Sequence, residues 1–205
     1  MAKSKSSRRW LQEHFDDPFV KRAQTEGFRS RAVYKLIEIQ KKYKIIKPGQ
    51  VVVDLGAAPG GWSQLCAEWV GEKGQVVALD ILPIDPLAGV TIIEADFTES
   101  SALEALEAET KGKHVSVVLS DMSPNLSGLR VVDQPKSMYL VELALDFADQ
   151  VLKKKGTFVA KVFQGEGFDP LIVGLRQRFT RVVVFKPEAS RDRSREVYVI
   201  GLDRK

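Results

Sequence analysis

The apolar positions of this 205-residue chain follow two rhythms that take turns. Short runs rich in Val, Ile and Leu read as strands buried on both faces: VVVDL from 51, QVVALDIL from 75, VTIIEADF from 90, HVSVVLSDM from 114 and GTFVAKVFQG from 156. Between them lie stretches with apolar residues at helical spacing: WSQLCAEWV from 62, SALEALEAET from 101, MYLVELALDFADQVL from 138 and FDPLIVGLRQRF from 168. Such alternation predicts an open, mostly parallel sheet with helices on both faces. A further helix is expected over about 31–43, with Ser30 as its N-cap, Val33, Leu36, Ile37 and Gln40 along one face, and KPGQ as its end.

The last two strand-like runs, TRVVVFKP from 180 and EVYVIGLD from 196, have only the charged loop EASRDRSR between them. They are expected to pair as an antiparallel hairpin at the sheet's edge. No internal repeat or second domain interrupts the pattern. Residues 10–205 read as one domain, preceded by a flexible basic segment at 1–9.

The first strand runs directly into a glycine turn, DLGAAPGGW at 54–62. Ligands of a doubly wound sheet sit beyond the carboxyl ends of its strands, and glycines there let the backbone approach a nucleotide closely. G-A-A-P-G-G lacks the middle glycine of the dinucleotide fingerprint, and no Lys-Ser/Thr follows to complete a P-loop. Carboxylates close three strands in order, Asp54, Asp80 and Asp96. This arrangement resembles the way class I methyltransferases, a Rossmann-like fold, hold S-adenosylmethionine: acids grip the ribose and adenine edges and suit the cofactor's cationic groups. Taken singly, each aspartate reads equally well as a helix or turn cap.

Composition narrows the setting. A hydrophobic share of 44% and a charged share of 28% suit one sizeable core. The single Cys66 excludes an intramolecular disulfide framework, and with only two His residues no metal site is expected. No apolar run approaches the roughly 20 residues needed to span a bilayer, and MAKSKSSRRW has no apolar segment behind its charges. A monomeric, cytoplasmic protein with no membrane contact is expected. The net charge of +4 is small, but the cations cluster at Arg8 and Arg9, at Arg29 and Arg31, and at Arg191, Arg193 and Arg195. These arginines are the candidate contacts to the phosphates of a polyanionic partner.

Lys161 stands in the middle of an apolar strand, where an ammonium needs a partner. Asp121 ends a neighbouring strand, and Glu196 begins the antiparallel last strand on the same rim. By spacing alone Lys35 lies off the Val33/Leu36/Gln40 stripe and reads as a surface lysine.

These residues sit within GFRSRAVYKLIEI, VVDLGAAPGGWSQ, SDMSPNLSG, MYLVELAL, FVAKVFQGEGF and RDRSREVY, and together the motifs resemble the FtsJ (RrmJ) family of ribose 2′-O-methyltransferases over nearly the whole chain. The resemblance implies a catalytic quartet of Lys35, Asp121, Lys161 and Glu196. It also implies cofactor contacts at Gly60, Trp62, Asp80, Asp96 and Asp121, with S-adenosylmethionine as the cofactor. The substrate it implies is a uridine of 23S rRNA in the large (50S) ribosomal subunit. A ribose 2′-hydroxyl is a weak acid that must lose its proton as it attacks, and Lys161 can serve either as base or as positive field. Two other readings remain open at this point: a 2′-O-methyltransferase of a tRNA or an mRNA cap, and a non-catalytic RNA-binding assembly factor. An intact quartet disfavours the second, since a pure binder has no need of a lysine inside an apolar strand.

Overall fold

The computed structural model describes residues 17–125, 127–191 and 193–205. The basic segment at 1–9, with Arg8 and Arg9, lies outside the described residues.

Two helices come first, α1 (Pro18–Thr25) and α2 (Val33–Tyr43). The strands are β1 (Val51–Leu55), β2 (Gln75–Asp80), β3 (Val90–Glu94), β4 (Val115–Ser120), β5 (Leu152–Phe163), β6 (Phe179–Phe185) and β7 (Glu196–Arg204). Helix α3 (Gly61–Val70) follows β1, α4 (Ser100–Thr110) follows β3, α5 (Arg130–Val151) follows β4 and α6 (Phe168–Arg178) follows β5. The strands form one sheet in the order β3-β2-β1-β4-β5-β7-β6. Strands β1 to β5 pair in parallel, and β7 runs antiparallel between β5 and β6. The expected C-terminal hairpin is therefore present, with β6 rather than β7 at the edge. The chain moves outward from β1 through β2 to β3, then returns to place β4 on β1's other side. That reversal opens a crevice at the carboxyl ends of β1 and β4.

Period-2 alternation sorts the strand side chains onto two faces. On one face Val53, Leu55, Val118, Phe158 and Val162 pack with Leu106, Phe147, Ala148 and Leu175 from α4, α5 and α6. On the other, Val52, Val76, Leu119, Val159 and Ile200 pack with Val33, Leu36, Ile39, Leu65 and Cys66 from α2 and α3. Each such side chain contributes about 1.5–3 kcal/mol through burial. Val159 faces the α2/α3 layer, so Lys161, two residues on, points to the same layer at the rim.

Three local expectations change. Helix α2 begins at Val33 after a turn at 31–32, and its N-cap is Ala32 without a side-chain bond, so Ser30 is not the cap. Ser30 instead packs with its hydroxyl beside Gly61, where a Cβ would stand 2.6 Å from it. Strand β3 stops at Glu94, which leaves Asp96 two residues beyond its end. Helix α5 starts at Arg130, well before Met138, and carries Pro135 in its second turn. No helix among the described residues is long and apolar enough to cross a membrane.

Candidate active site

The glycine turn lies flat against its neighbours because side chains there would collide. Gly56 leaves β1 at φ +76°, and a Cβ at that position would stand 2.8 Å from the backbone of Met122. Gly60 caps α3 at φ +103°, with Arg29 Nη1 3.0 Å from where its Cβ would be and Ile84 and Leu87 packed alongside. The first-turn N–H groups of α3, which have no partner within the helix, open toward this turn.

The rim acids then divide by role. Asp80 accepts the Ala58 N–H at 2.9 Å with one oxygen and the Leu82 N–H at 2.9 Å with the other, so it clasps the glycine turn to the loop after β2. Asp96 accepts the Thr98 N–H at 2.9 Å and the Thr98 hydroxyl at 2.7 Å. Those bonds, the backbone one first, hold its carboxyl below the usual range. A carboxylate offers about four acceptor positions, so both acids retain capacity for a ligand. Trp62 is placed differently from a cofactor-facing side chain: it is buried, donates its indole N–H to the Ala32 carbonyl at 2.8 Å, and packs its ring 5.7 Å from that of Tyr198. Contact between Trp62 and a cofactor would have to come through its backbone in the first turn of α3.

Behind the turn, Asp54 is fully buried. One oxygen accepts the Ser63 hydroxyl at 2.6 Å, and the other has no partner. Burial pushes its carboxyl up to about 7 despite the Ser63 bond, with Asp121 and Asp80 adding to the rise. An acid raised above its unfolded value contributes stability that is complete below about pH 4 and is lost as pH climbs through 7. Asp54→Asn should therefore gain on the wild type as pH rises from 4 to 7.5. The stability gap should change by a few kcal/mol, about 4 at most at 1.36 kcal/mol per pKa unit. Urea midpoints of both proteins across that range measure it, and a gap independent of pH would contradict the assignment.

The four residues of the expected quartet meet at the adjoining part of the rim as two ion pairs. Lys161 is 8% exposed. Its Nζ donates to the Asp121 carbonyl at 2.6 Å and lies 3.3 Å from Asp121 Oδ1. Lys35 Nζ stands 2.5 Å from Glu196 Oε1, which also accepts the Ser190 hydroxyl at 2.9 Å. Lys35 is thus no surface lysine; the start of β7 brings it an acid from the far end of the chain. Glu196, expected as a partner of Lys161, pairs with Lys35 instead.

Tyr198 joins the two pairs. It stands opposite Lys161 in the β5–β7 ladder and donates its hydroxyl to Asp121 Oδ1 at 2.6 Å. Its ring centroid lies 5.7 Å from Lys35 Nζ. Burial first, then the nearby Asp121 and Glu196, raise the phenol well above its ordinary value and keep it a neutral donor. Sequence reading passed over Tyr198; the signal was present in its two-residue offset from Glu196, which puts both on one face of β7.

The basic residues separate as well. Arg31 is largely enclosed, 2.6 Å from Asp17 Oδ2 and donating to the Ala189 carbonyl at 2.5 Å. Desolvation leads the lowering of its pKa. Arg191 reaches the same Asp17 oxygen at 3.6 Å. Arg29 donates to the carbonyls of Pro59, Asp85 and Pro86 at 3.2, 2.7 and 3.0 Å. Arg195 donates to the Gln164 carbonyl at 3.1 Å, and both it and Arg193 are exposed. Glu38 of α2 accepts the N–H groups of Glu188 and Ala189 at 2.7 and 2.9 Å and so pins this arginine loop to the site.

Residues 28–204, which include every element of the site, match the FtsJ-like methyltransferase family. The chain belongs to that family. Ribosomal RNA large subunit methyltransferase E of Marinobacter nauticus is 60% identical over 201 residues, covering 98% of this chain and 97% of the relative. The protein of the same name from Hahella chejuensis is 57% identical, covering 98% of each. Among solved structures, a ribosomal RNA methyltransferase of Plasmodium falciparum superposes with a TM-score of 0.77 at 26% identity, over 86% of this chain and 98% of that one. An rRNA methylase from Clostridium thermocellum, with a TM-score of 0.56 at 17% identity, shares the fold. As an FtsJ-like methyltransferase, the chain has its glycine turn and its paired lysines on one rim, where a methyl donor and an acceptor can meet.

Proposed function

We propose that this chain transfers a methyl group from S-adenosylmethionine to the ribose 2′-hydroxyl of a uridine in 23S rRNA of the large ribosomal subunit. The observation that carries the reading is the pair of lysine–carboxylate contacts, Lys161–Asp121 and Lys35–Glu196, joined by Tyr198 beside the glycine turn. The names of the relatives at 57–60% identity support ribosomal RNA as the substrate.

The residues fit the cofactor. Gly56 and Gly60 let the turn pack tightly on Met122 and Arg29, Asp80, Asp96 and Asp121 supply carboxylates at its rim, and Asp54 keeps a bare buried oxygen behind it. That set suits a cationic nucleoside. When bound, S-adenosylmethionine supplies an electrophilic methyl group on a sulfonium.

Lys161 has the central part. Asp121 engages Lys161 Nζ through its carbonyl and its carboxylate, which leaves one direction of the nitrogen for the 2′-oxygen. Asp121 in turn is fixed by the Tyr198 hydroxyl, so the amine's approach is set before substrate arrives. The Lys35–Glu196 pair flanks the same space and offers both a donor and an acceptor to a ribose. Exclusion of water follows from the burial of Lys161, Tyr198 and Trp62 around it.

Arg8, Arg9, Arg191, Arg193 and Arg195 are the proposed phosphate side of the interface, Arg31 being turned inward to Asp17 and the Ala189 carbonyl. Arg193→Ala and Arg195→Ala should each reduce the steepness of log K against log salt for subunit binding by about 1 and leave cofactor affinity unchanged. Filter binding between 50 and 300 mM salt reads this, and an unchanged slope would remove both from the interface.

The reading as a whole is tested by incubating the protein and radiolabelled S-adenosylmethionine with large subunits from cells lacking it. Label in 23S rRNA is expected. Cofactor binding without any incorporation would favour a non-catalytic assembly factor.

A further inference from the structure

The loop at 81–89, between β2 and β3, has little to hold it. Ile81 and Leu82 are 61% and 60% exposed, and Ile84 is its buried anchor. Among the described residues, its polar ties to the rest of the fold are the Leu82 N–H bond to Asp80 at one end, the Val90 N–H bond to the Leu87 carbonyl at the other, and the bonds from Arg29 between them. Arg29 sits far away in sequence, in the turn ahead of α2, yet its guanidinium reaches across Gly60. One nitrogen, Nη1, serves both Pro59 in the glycine turn and Asp85 in the loop, while Nη2 serves Pro86. The backbone that presents Arg29 is fixed in its turn: Gln64 of α3 accepts the Arg29 N–H at 3.3 Å and donates to the Gly27 carbonyl at 3.1 Å.

We infer that Arg29 is a positioning residue for the cofactor, tying the 81–89 loop to the glycine turn, and not a phosphate ligand. The inference rests on the reading of this rim as the S-adenosylmethionine site, where Asp80 and the loop beside it border the adenosine end. The shape of arginine suits it to the task. A planar fork serves several carbonyls at fixed angles, which a lysine's single point cannot do. Bidentate capture of a phosphate would need the same terminal nitrogens and would break the bonds to Asp85 and Pro86. Loss of the tether leaves the loop held by Ile84 and by its two ends, at Asp80 and at the Leu87–Val90 bond, so the cost falls on assembling the cofactor site rather than on methyl transfer. The side chain acts from outside the reacting atoms, through the loop.

The experiment compares wild type, Arg29→Ala and Arg29→Lys by calorimetry with S-adenosylmethionine, by kinetics on large subunits, by salt-dependent subunit binding, and by hydrogen exchange of the ligand-free protein. Arg29→Ala should weaken cofactor binding about tenfold or more, the equivalent of one to two lost net hydrogen bonds. The KM for S-adenosylmethionine should rise in step, with kcat at saturating cofactor within about threefold of wild type. Arg29→Lys should recover only part of the affinity. Amides at 82–87 should lose protection in Arg29→Ala while those of β1 and β4 keep theirs, which separates loosening of the loop from general destabilisation. An unchanged cofactor Kd together with a salt slope reduced by about 1 would overturn the inference and return Arg29 to the phosphate contacts. Failure of the wild type to bind S-adenosylmethionine would overturn the cofactor reading itself, and that result is visible before any substitution is made.

Discussion

Lys161→Ala should slow the chemical step of methyl transfer by about 100-fold or more, the usual scale for removing a positioned acid–base group. The expectation follows from placement. Nζ is held at the rim by the Asp121 carbonyl and carboxylate, within the stretch Phe158–Phe163 of β5 where every other side chain is apolar, and no other lysine among the described residues is held by Asp121. Arginine should not rescue the loss, since a guanidinium keeps its charge and cannot accept a proton. Cofactor affinity should stay near wild type, because Asp80, Asp96 and the glycine turn lie on other strands. Single-turnover methylation of large subunits at saturating cofactor checks all three points. A Lys161→Arg variant that retains most of the rate would make Lys161 a source of positive field and would place the base elsewhere.

Asp121→Ala is expected to have the largest combined effect. The substitution strips Lys161 of its carboxylate and leaves the Tyr198 hydroxyl, fully enclosed, without its acceptor. Breaking one side of a buried ion pair costs about 3–5 kcal/mol, and the Asp121 side chain keeps 18% of its exposure, so a value near 3 is expected. Turnover should fall as well, because the amine loses its counterion and keeps only its bond to the residue-121 carbonyl. Tyr198→Phe provides the control. It removes only the hydroxyl, and should cost about 1.5–3 kcal/mol, the scale of a hydrogen bond to a charged group, while leaving the Lys161–Asp121 contact in place. Urea unfolding and single-turnover rates on the same preparations distinguish the variants. Equal stability of Asp121→Ala and wild type would show that the pair is solvated and the rim open.

Much of this architecture was legible in the chain because it is written in period. Apolar runs gave the strands, and the change from period 2 to helical spacing gave the helices between them. The missing helix between TRVVVFKP and EVYVIGLD announced the antiparallel hairpin that carries Glu196 to the rim beside Lys35. Lys161 drew notice for a physical reason, a charge inside an apolar strand. Lys35 did not, because helical spacing says which face a residue occupies and nothing about what a strand from the other end of the chain will bring to that face. Glu38 was hidden in the same way, as one more surface acid until the 188–189 backbone docks on it.

The arginines illustrate a different limit. Clustering in sequence suggested a shared polyanion, but Arg31 turns inward to Asp17 and Ala189, and Arg29 turns to the carbonyls of Pro59, Asp85 and Pro86. Short-range order cannot tell a phosphate ligand from a backbone clamp when the carbonyls concerned lie some distance along the chain. Asp96 shows the reverse case. Its position past β3 and its bonds to Thr98 make it a turn cap first, and only its remaining acceptor positions keep it available to a ligand.

The most direct measurement of the central claim is the chemical position of the transferred methyl. Large subunits from cells lacking this protein are methylated in vitro with isotopically labelled S-adenosylmethionine, the 23S rRNA is digested to nucleosides, and the labelled nucleoside is identified by mass spectrometry. The account predicts label in 2′-O-methyluridine, present with wild type and lost with Lys161→Ala. Label on a base carbon or nitrogen, or label in 2′-O-methyluridine that persists undiminished in Lys161→Ala, would contradict it.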